Sequence, residues 1–205
     1  MKELIASSIQ KAISYEEYRQ LVSHKVEQQQ TTGPNQTEAL AEYTRLNDYR
    51  MRRLDKTIRL NDRSIHALNL IKEPVTWLVL TEGWCGDAAQ SLPIINAMAS
   101  FNSSIDLKVI LRDENLELMD HFLTGNGRSI PKLIFIDSES NELFGHWGPR
   151  PSEAQRLYLD LRNQNLTYSE INIEMQGWYN KNKAEAIQLE ISEIIRITHS
   201  KKTLV

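Results

Sequence analysis

The sequence contains a single cysteine, Cys85, among 205 residues. One thiol excludes an internal disulfide and leaves any redox chemistry without a second sulfur in the same chain. No apolar run approaches the roughly 20 residues that cross a bilayer, so we expect no membrane partner. The N-terminal stretch lacks the apolar segment of a secretion signal. We therefore expect a cytoplasmic location.

Strong charge of either sign is also lacking, because the net charge is -3 and the isoelectric point is about 6.0. This balance gives no global reason to expect a nucleic-acid partner. The stretch from Arg45 to Arg63 does hold seven basic residues against three acidic ones. Pairs at i,i+4 spacing, such as Asp48 with Arg52, favour a solvated helix face over a binding surface. The 40% hydrophobic content is sufficient for one core with helical additions.

Residues 1–73 have the pattern of a helical N-terminal extension. Ser14 and Glu17 are spaced as a capping box ahead of a helix that runs to about Gln29, and Asn35 and Glu38 are spaced as a second one. In the second helix, apolar residues recur every three or four positions and predict one buried face. These residues are Leu40, Tyr43, Met51, Leu54 and Ile58.

Residues 74–165 alternate between strand and helix patterns in the order β-α-β-α-β-β-α. The first two strands are joined by a helical crossover, so we expect them to be parallel. The last two are joined by a tight turn, which predicts an antiparallel hairpin. The predicted strands cover 75–80, 105–111, 132–136 and 142–147, and the predicted helices before the last one cover 88–101 and 114–122.

Residues 166–205 return to a helical pattern and form a predicted C-terminal extension. Thr167 and Glu170 are spaced as a third capping box. Four isoleucines then lie on one side of a helix, at positions 187, 191, 194 and 195. Both extensions can either cover the central domain or form a surface for a second subunit. We favour packing against the domain, and the chain is expected to be a monomer or a homodimer.

Two motifs lie at the strand ends of the central segment. Trp84-Cys85-Gly86-Asp87-Ala88 follows the first strand, and Ser129-Ile130-Pro131 precedes the third. With this element order, residues 74–165 resemble the thioredoxin family, and the wider motif resembles a bacterial branch of it. The resemblance implies an α/β fold with a four-stranded mixed sheet. It also implies a cis-proline at Pro131 that faces Cys85.

The resemblance further implies that Trp84, Gly86, Ile130 and Pro131 contact a substrate. Three positions depart from the family. Ala88 replaces the second cysteine, Asp87 replaces a proline, and Val79 replaces a buried acid. The two-thiol mechanism therefore does not transfer to this chain.

Cys85 is predicted to begin a helix in a loop that faces solvent. The helix dipole at this place favours a thiolate, whereas the carboxylate of Asp87 in the same turn opposes it. We assign Cys85 and Asp87 as the candidate catalytic residues, Asp87 for proton handling. No metal site is expected, because the histidines lack ligand spacing, and no cofactor is predicted.

Two main functions remain open at this point, besides a peroxide-sensing thiol that would be oxidised to a sulfenic acid. In the first, Cys85 forms a mixed disulfide with a protein or a low-molecular-weight thiol or disulfide, and an external thiol resolves it. In the second, the chain is a redox-inactive module that binds a peptide or protein at the Ile130-Pro131 edge. The pKa of the thiol distinguishes the two, because a lowered value favours exchange and an ordinary value favours binding.

Overall fold

The structure is a computed structural model that describes residues 1–202, with side chains as far as Thr198. The last three residues of the predicted C-terminal extension lie outside the described residues. Within that described part, none of the helices combines the length and the apolar character that crossing a bilayer requires.

Helices surround one sheet. The helices are α1 (Lys2–Lys11), α2 (Tyr15–Glu27), α3 (Glu38–Thr57), α4 (Asp62–Leu68), α5 (Gly86–Phe101), α6 (Leu116–Met119), α7 (Ser152–Arg162), α8 (Tyr168–Asn182) and α9 (Glu185–Lys202). The strands are β1 (Ile13–Ser14), β2 (Val75–Thr81), β3 (Ile105–Leu111), β4 (Lys132–Asp137) and β5 (Leu143–Trp147). A short 3₁₀ turn covers Arg112–Glu114.

The sheet is mixed and has the strand order β1-β3-β2-β4-β5. Strands β2 and β3 are parallel, and β4 pairs antiparallel with both β2 and β5. The α/β class and these pairings confirm the prediction. The predicted count of four strands is wrong, because Ile13 and Ser14 pair antiparallel with Val109 and Lys108. A strand of two residues is too short to produce a detectable alternation.

Strand β2 lies at the centre of the sheet and is buried along its whole length. This explains its continuous apolar sequence, since a central strand covered on both faces has no polar side. Trp77 on β2 packs edge-on against Phe135 on β4, with 5.3 Å between ring centroids. The strand end after Thr81, which leads towards α5, therefore starts from the buried centre of the sheet.

Helix starts agree with the sequence at two of three predicted capping boxes. Ser14 with Glu17 and Thr167 with Glu170 form complete boxes. The box predicted at Asn35 and Glu38 is wrong, because Thr37 caps α3 by accepting from the N–H of Leu40. The predicted helix over 114–122 is also shorter, since the non-helical backbone at Asn115 (φ -135°) separates the 3₁₀ turn from α6.

The buried face of α3 is largely polar, contrary to the predicted apolar face. Its buried residues are Thr44, Asn47, Asp48 and Met51. Asp48 accepts from Arg19 of α2 at 3.0 Å, and the predicted pair with Arg52 is present at 2.8 Å. This helix therefore packs through hydrogen bonds and ion pairs as well as through apolar contact. The polar face also reaches the loop that carries Cys85.

Substitutions in α9 test whether the C-terminal extension packs against the central domain. Helix α9 contacts α4, α5 and β5, and Ile191 is fully buried there. We expect Ile191→Ala to lower the free energy of unfolding by about 3 kcal/mol, because it removes buried methyl groups and leaves a cavity. Leu189→Ala on the same helix, where the residue is 42% exposed, should lower it by less than about 1 kcal/mol. Urea denaturation measures both, and equally small losses would contradict packing of α9 on the domain.

Candidate functional site

Buried polar contacts fix the loop between β2 and α5 to the N-terminal extension. The Thr32 hydroxyl donates to the carboxylate of Glu82 and accepts from the N–H of Gly83 at 2.8 Å. The side-chain amide of Asn47 donates to the carbonyl oxygen of Gly83 at 2.9 Å. The backbone leading into Cys85 is thus held by residues far away in the sequence.

Glu82 is fully buried and uses both carboxylate oxygens. One accepts from Thr32, and the other accepts from the N–H of Asp113 at 2.8 Å. Burial raises the pKa of Glu82 to about 7, against the lowering effect of these two hydrogen bonds. Glu82 therefore ties three segments together and carries an ionisation close to neutrality.

Cys85 caps the N-terminus of α5 and lies next to the Ile130-Pro131 peptide. Its S–H donates to the carbonyl oxygen of Ile130 at 3.3 Å, and the Ile130-Pro131 bond is cis. The structure thus brings the two sequence motifs together. The expectation that the thiol faces solvent is wrong, because Cys85 is only 8% exposed. The elements around the loop cover it.

The surroundings of Cys85 stabilise the neutral thiol. Burial, and after it the negative charge of Asp87, raise the pKa of Cys85 to about 12. The nearby backbone N–H group of Ala88, the charge of Arg150 and the backbone N–H group of Asp87 act in the opposite direction but are outweighed. The helix N-terminus therefore does not activate this thiol, because desolvation of the anion is the larger effect.

Asp87 points into a buried cluster. Its carboxylate forms an ion pair with Arg150 at 2.7 Å and accepts from the hydroxyl of Tyr179 at 2.8 Å. The Arg150 guanidinium also stacks on Tyr158, 3.9 Å from the ring centroid. Burial raises the pKa of Asp87 despite these partners. The cluster anchors α7 and α8 to the start of α5, and the predicted catalytic role of Asp87 stays a prediction.

A cavity of about 550 Å³ opens beside the thiol. Five of the six predicted site residues line it, namely Trp84, Cys85, Gly86, Asp87 and Ile130. Pro131 is buried and is not among the lining residues. The remaining walls come from α3, from the loop before β4, and from α7 and α8. Both helical extensions therefore complete the site.

Among the site residues that sequence reasoning missed are two arginines and a tyrosine with specific polar contacts. Arg50 lies in the basic stretch that the i,i+4 spacing assigned to solvent, and Arg150 and Tyr179 lie far from either motif. Only Arg50 had a signal, the local excess of basic residues. The other two are recognisable only once the chain is folded.

Side chains of the types that bind metals do not cluster in the part of the chain that the structure describes. No group of three or more His, Cys, Asp or Glu side chains is placed to hold an ion there. His146, near the end of β5, is exposed.

Comparison with known proteins supports the fold. A family model described as Thioredoxin matches residues 33–167. The crystal structure of a protein of unknown function from Pseudomonas aeruginosa is 19% identical with a TM-score of 0.52, over 77% of this chain and 82% of that one. An HIV epitope-scaffold is 17% identical with a TM-score of 0.51, over 90% and 98%. Identities this low show the fold alone. No curated protein matches the chain.

The buried carboxylate of Glu82 predicts a pH-dependent stability. Its pKa is raised above the ordinary value of 4.5, so between about pH 4.5 and 7 the folded state binds more protons than the unfolded state. The free energy of unfolding should therefore fall as the pH rises through this range, by at most about 3 kcal/mol. Urea denaturation of Glu82→Gln should show a flatter pH dependence. The exposed control Glu153→Gln should keep the wild-type slope, and an unchanged slope in Glu82→Gln would contradict the assignment.

The charge of Asp87 predicts the behaviour of the neighbouring thiol. Asp87→Asn removes a negative charge that raises the pKa of Cys85 and leaves Arg150 unpaired beside the sulfur. We expect the thiol pKa to fall by about one unit, which speeds alkylation at pH 8 by up to about tenfold. Iodoacetamide kinetics across pH measure this change. Asp160→Asn, on the exposed side of α7, is the matched control. A thiol pKa equal to the wild-type value in Asp87→Asn would contradict the prediction.

Proposed function

Because this chain belongs to the thioredoxin family, we propose that it uses the family's fold as a binding protein. In this proposal the cavity beside Cys85 takes a small ligand, and the thiol stays protonated without redox turnover. The observation that carries the proposal is the hydrogen bond from the buried Cys85 thiol to the Ile130 carbonyl oxygen. A thiol that donates this bond is neutral.

The chemistry of Cys85 supports a role other than catalytic turnover. The thiolate is the nucleophile in disulfide exchange, and burial together with Asp87 disfavours that form. The chain also has no second cysteine to release a mixed disulfide. Both steps of a dithiol cycle are therefore disfavoured by this site.

The shape of the site supports a small ligand more than an extended peptide. Ile130 and Pro131 are buried, and the Ile130 carbonyl oxygen already accepts from Cys85. Helices α3 and α8 supply much of the cavity wall. A cavity of about 550 Å³ falls within the ordinary size range of small-molecule sites.

Monothiol exchange is the second candidate, and the position of Cys85 on the cavity wall favours it. A low-molecular-weight disulfide in the cavity would lie against the sulfur. Attack by the Cys85 thiolate would form a Cys85–S–S–R bond and break the R–S–S–R′ bond, and R′–S⁻ would leave and take up a proton. An external thiol would then reduce the mixed disulfide.

Several finer assignments stay predictions. They are the bacterial branch of the family, the division of the chain after residues 73 and 165, and the cytoplasmic location. The nature of the partner and the choice between monomer and homodimer also stay predictions. The contacts of Thr32, Asn47 and Tyr179 with the Cys85 loop and α5 favour a chain in which both extensions fold together with the central segment.

The alkylation rate of Cys85 across pH separates the two candidates. For the binding protein, we expect slow reaction of the native thiol with iodoacetamide and an apparent pKa above 9, because burial opposes the anion. The same chain unfolded in urea should show an ordinary value near about 8.5, and Cys85→Ser should show no reaction. A native pKa below that of the unfolded chain, with a glutathione adduct at Cys85 in mass spectra after incubation with glutathione disulfide, would favour exchange.

A further inference from the structure

Four arginines line the cavity, and three of them have a carboxylate partner. Arg150 pairs with Asp87 at 2.7 Å. Arg112 and Arg128 each donate two hydrogen bonds to a neighbouring aspartate, Asp113 and Asp120 respectively. The fourth, Arg50, has no carboxylate within 4.0 Å among the described residues. The cavity therefore carries one positive charge that the protein does not match.

The Arg50 side chain is held in place by a short relay of hydrogen bonds. Its Nη1 donates to Asn47 Oδ1 at 2.9 Å, and the buried Asn47 donates to the Gly83 carbonyl oxygen at 2.9 Å. Nε and Nη2 of Arg50 donate to no acceptor in the described part of the protein. A side chain added at Gly86 would place its Cβ 3.7 Å from Nη1, so the guanidinium lies beside the residue after Cys85.

The half-buried position of Arg50 makes the missing partner significant. Taking a guanidinium partly out of water weakens its hydration, and a guanidinium remains charged at any physiological pH. The unused N–H groups form a planar fork that matches the two oxygens of a carboxylate. An anion bound in the cavity would therefore complete both the charge balance and the hydrogen bonding of Arg50.

The rest of the cavity wall combines polar side chains with apolar and aromatic ones, and the latter offer a surface for an apolar body. Aromatic rings supply several wall positions, and Met175 is a buried apolar wall residue. Two exposed apolar residues of α8, Tyr168 and Ile173, also line the cavity. The other aromatic wall residues are Tyr43, Trp84, Tyr158 and Tyr179.

We infer that the cavity binds a small monocarboxylate with an apolar or aromatic body, and that Arg50 holds the carboxylate through two parallel hydrogen bonds. The inference rests on the proposed function, in which the cavity takes a ligand. One unmatched charge fits a monoanion, whereas a phosphate monoester dianion would bring a second negative charge beside Asp87. The apolar body lies against the aromatic and apolar side chains of the wall.

Three probes of similar size test the inference with the full chain. They are 4-phenylbutyrate, its neutral amide and phenyl phosphate, and titration calorimetry or protein-observed NMR measures their binding at millimolar concentration. We expect 4-phenylbutyrate to bind more tightly than the other two. Arg50→Gln should weaken its binding by about tenfold or more, the equivalent of one charge-assisted hydrogen bond. Arg45→Gln removes an exposed charge from the same helix and should leave binding unchanged.

Arg50→Lys keeps the charge but loses the planar fork, so an intermediate loss supports two-point contact. If circular dichroism shows that Arg50→Gln does not fold, the binding measured with Arg50→Lys tests the inference instead. Equal binding of the acid and the amide, tighter binding of phenyl phosphate, or binding that neither Arg50 variant weakens would overturn the inference and leave the proposed function standing. Absence of binding by all three probes would overturn the inference, whereas the proposed function is decided separately by the alkylation of Cys85.

Discussion

The hydrogen bond from the Cys85 thiol to the Ile130 carbonyl oxygen is the contact on which both the geometry of the site and the neutral state of the thiol depend. It joins the loop after β2 to the loop before β4, which are remote in sequence and meet at one end of the sheet. Ionisation of the sulfur would remove the donated proton and place an anion beside Asp87 in a buried position. The start of a helix favours an anion by at most about 2 kcal/mol, and burial of a charged group is the larger effect here.

Both helical extensions hold the segments around this hydrogen bond in place. The N-terminal extension supplies Thr32 and Asn47, which hold the backbone of Gly83, two residues before the thiol. The C-terminal extension supplies Tyr179, which donates to Asp87 at the first turn of α5. Because these contacts are buried and hydrogen-bonded, moving either extension would leave polar groups unpaired. The extensions therefore convert a loop that would otherwise be open into the wall of a cavity.

The sequence was sufficient to predict the sheet around β2, because continuous apolar strands are local signals. The meeting of Cys85 with the Ile130-Pro131 peptide was implied by the resemblance of the two strand-end motifs to the thioredoxin family. Sequence reasoning failed at β1, where two residues carry no periodicity, and at α3, whose buried face contains Asn47 and Asp48. It also placed the thiol in solvent, since its cover comes from distant elements. The partners of Asp87 were missed for the same reason: Arg150 and Tyr179 approach it only in the folded chain.

The central claim is that the Cys85 thiol is neutral and buried beside a ligand cavity. The most direct measurement is a pH titration of the ¹³Cβ chemical shift of Cys85 by NMR, which reports ionisation of the sulfur without a chemical probe. Our account predicts no titration of this signal from pH 6 to about pH 9 while the protein remains folded. A titration with a midpoint below that of an ordinary cysteine would show an activated thiolate and would contradict the account.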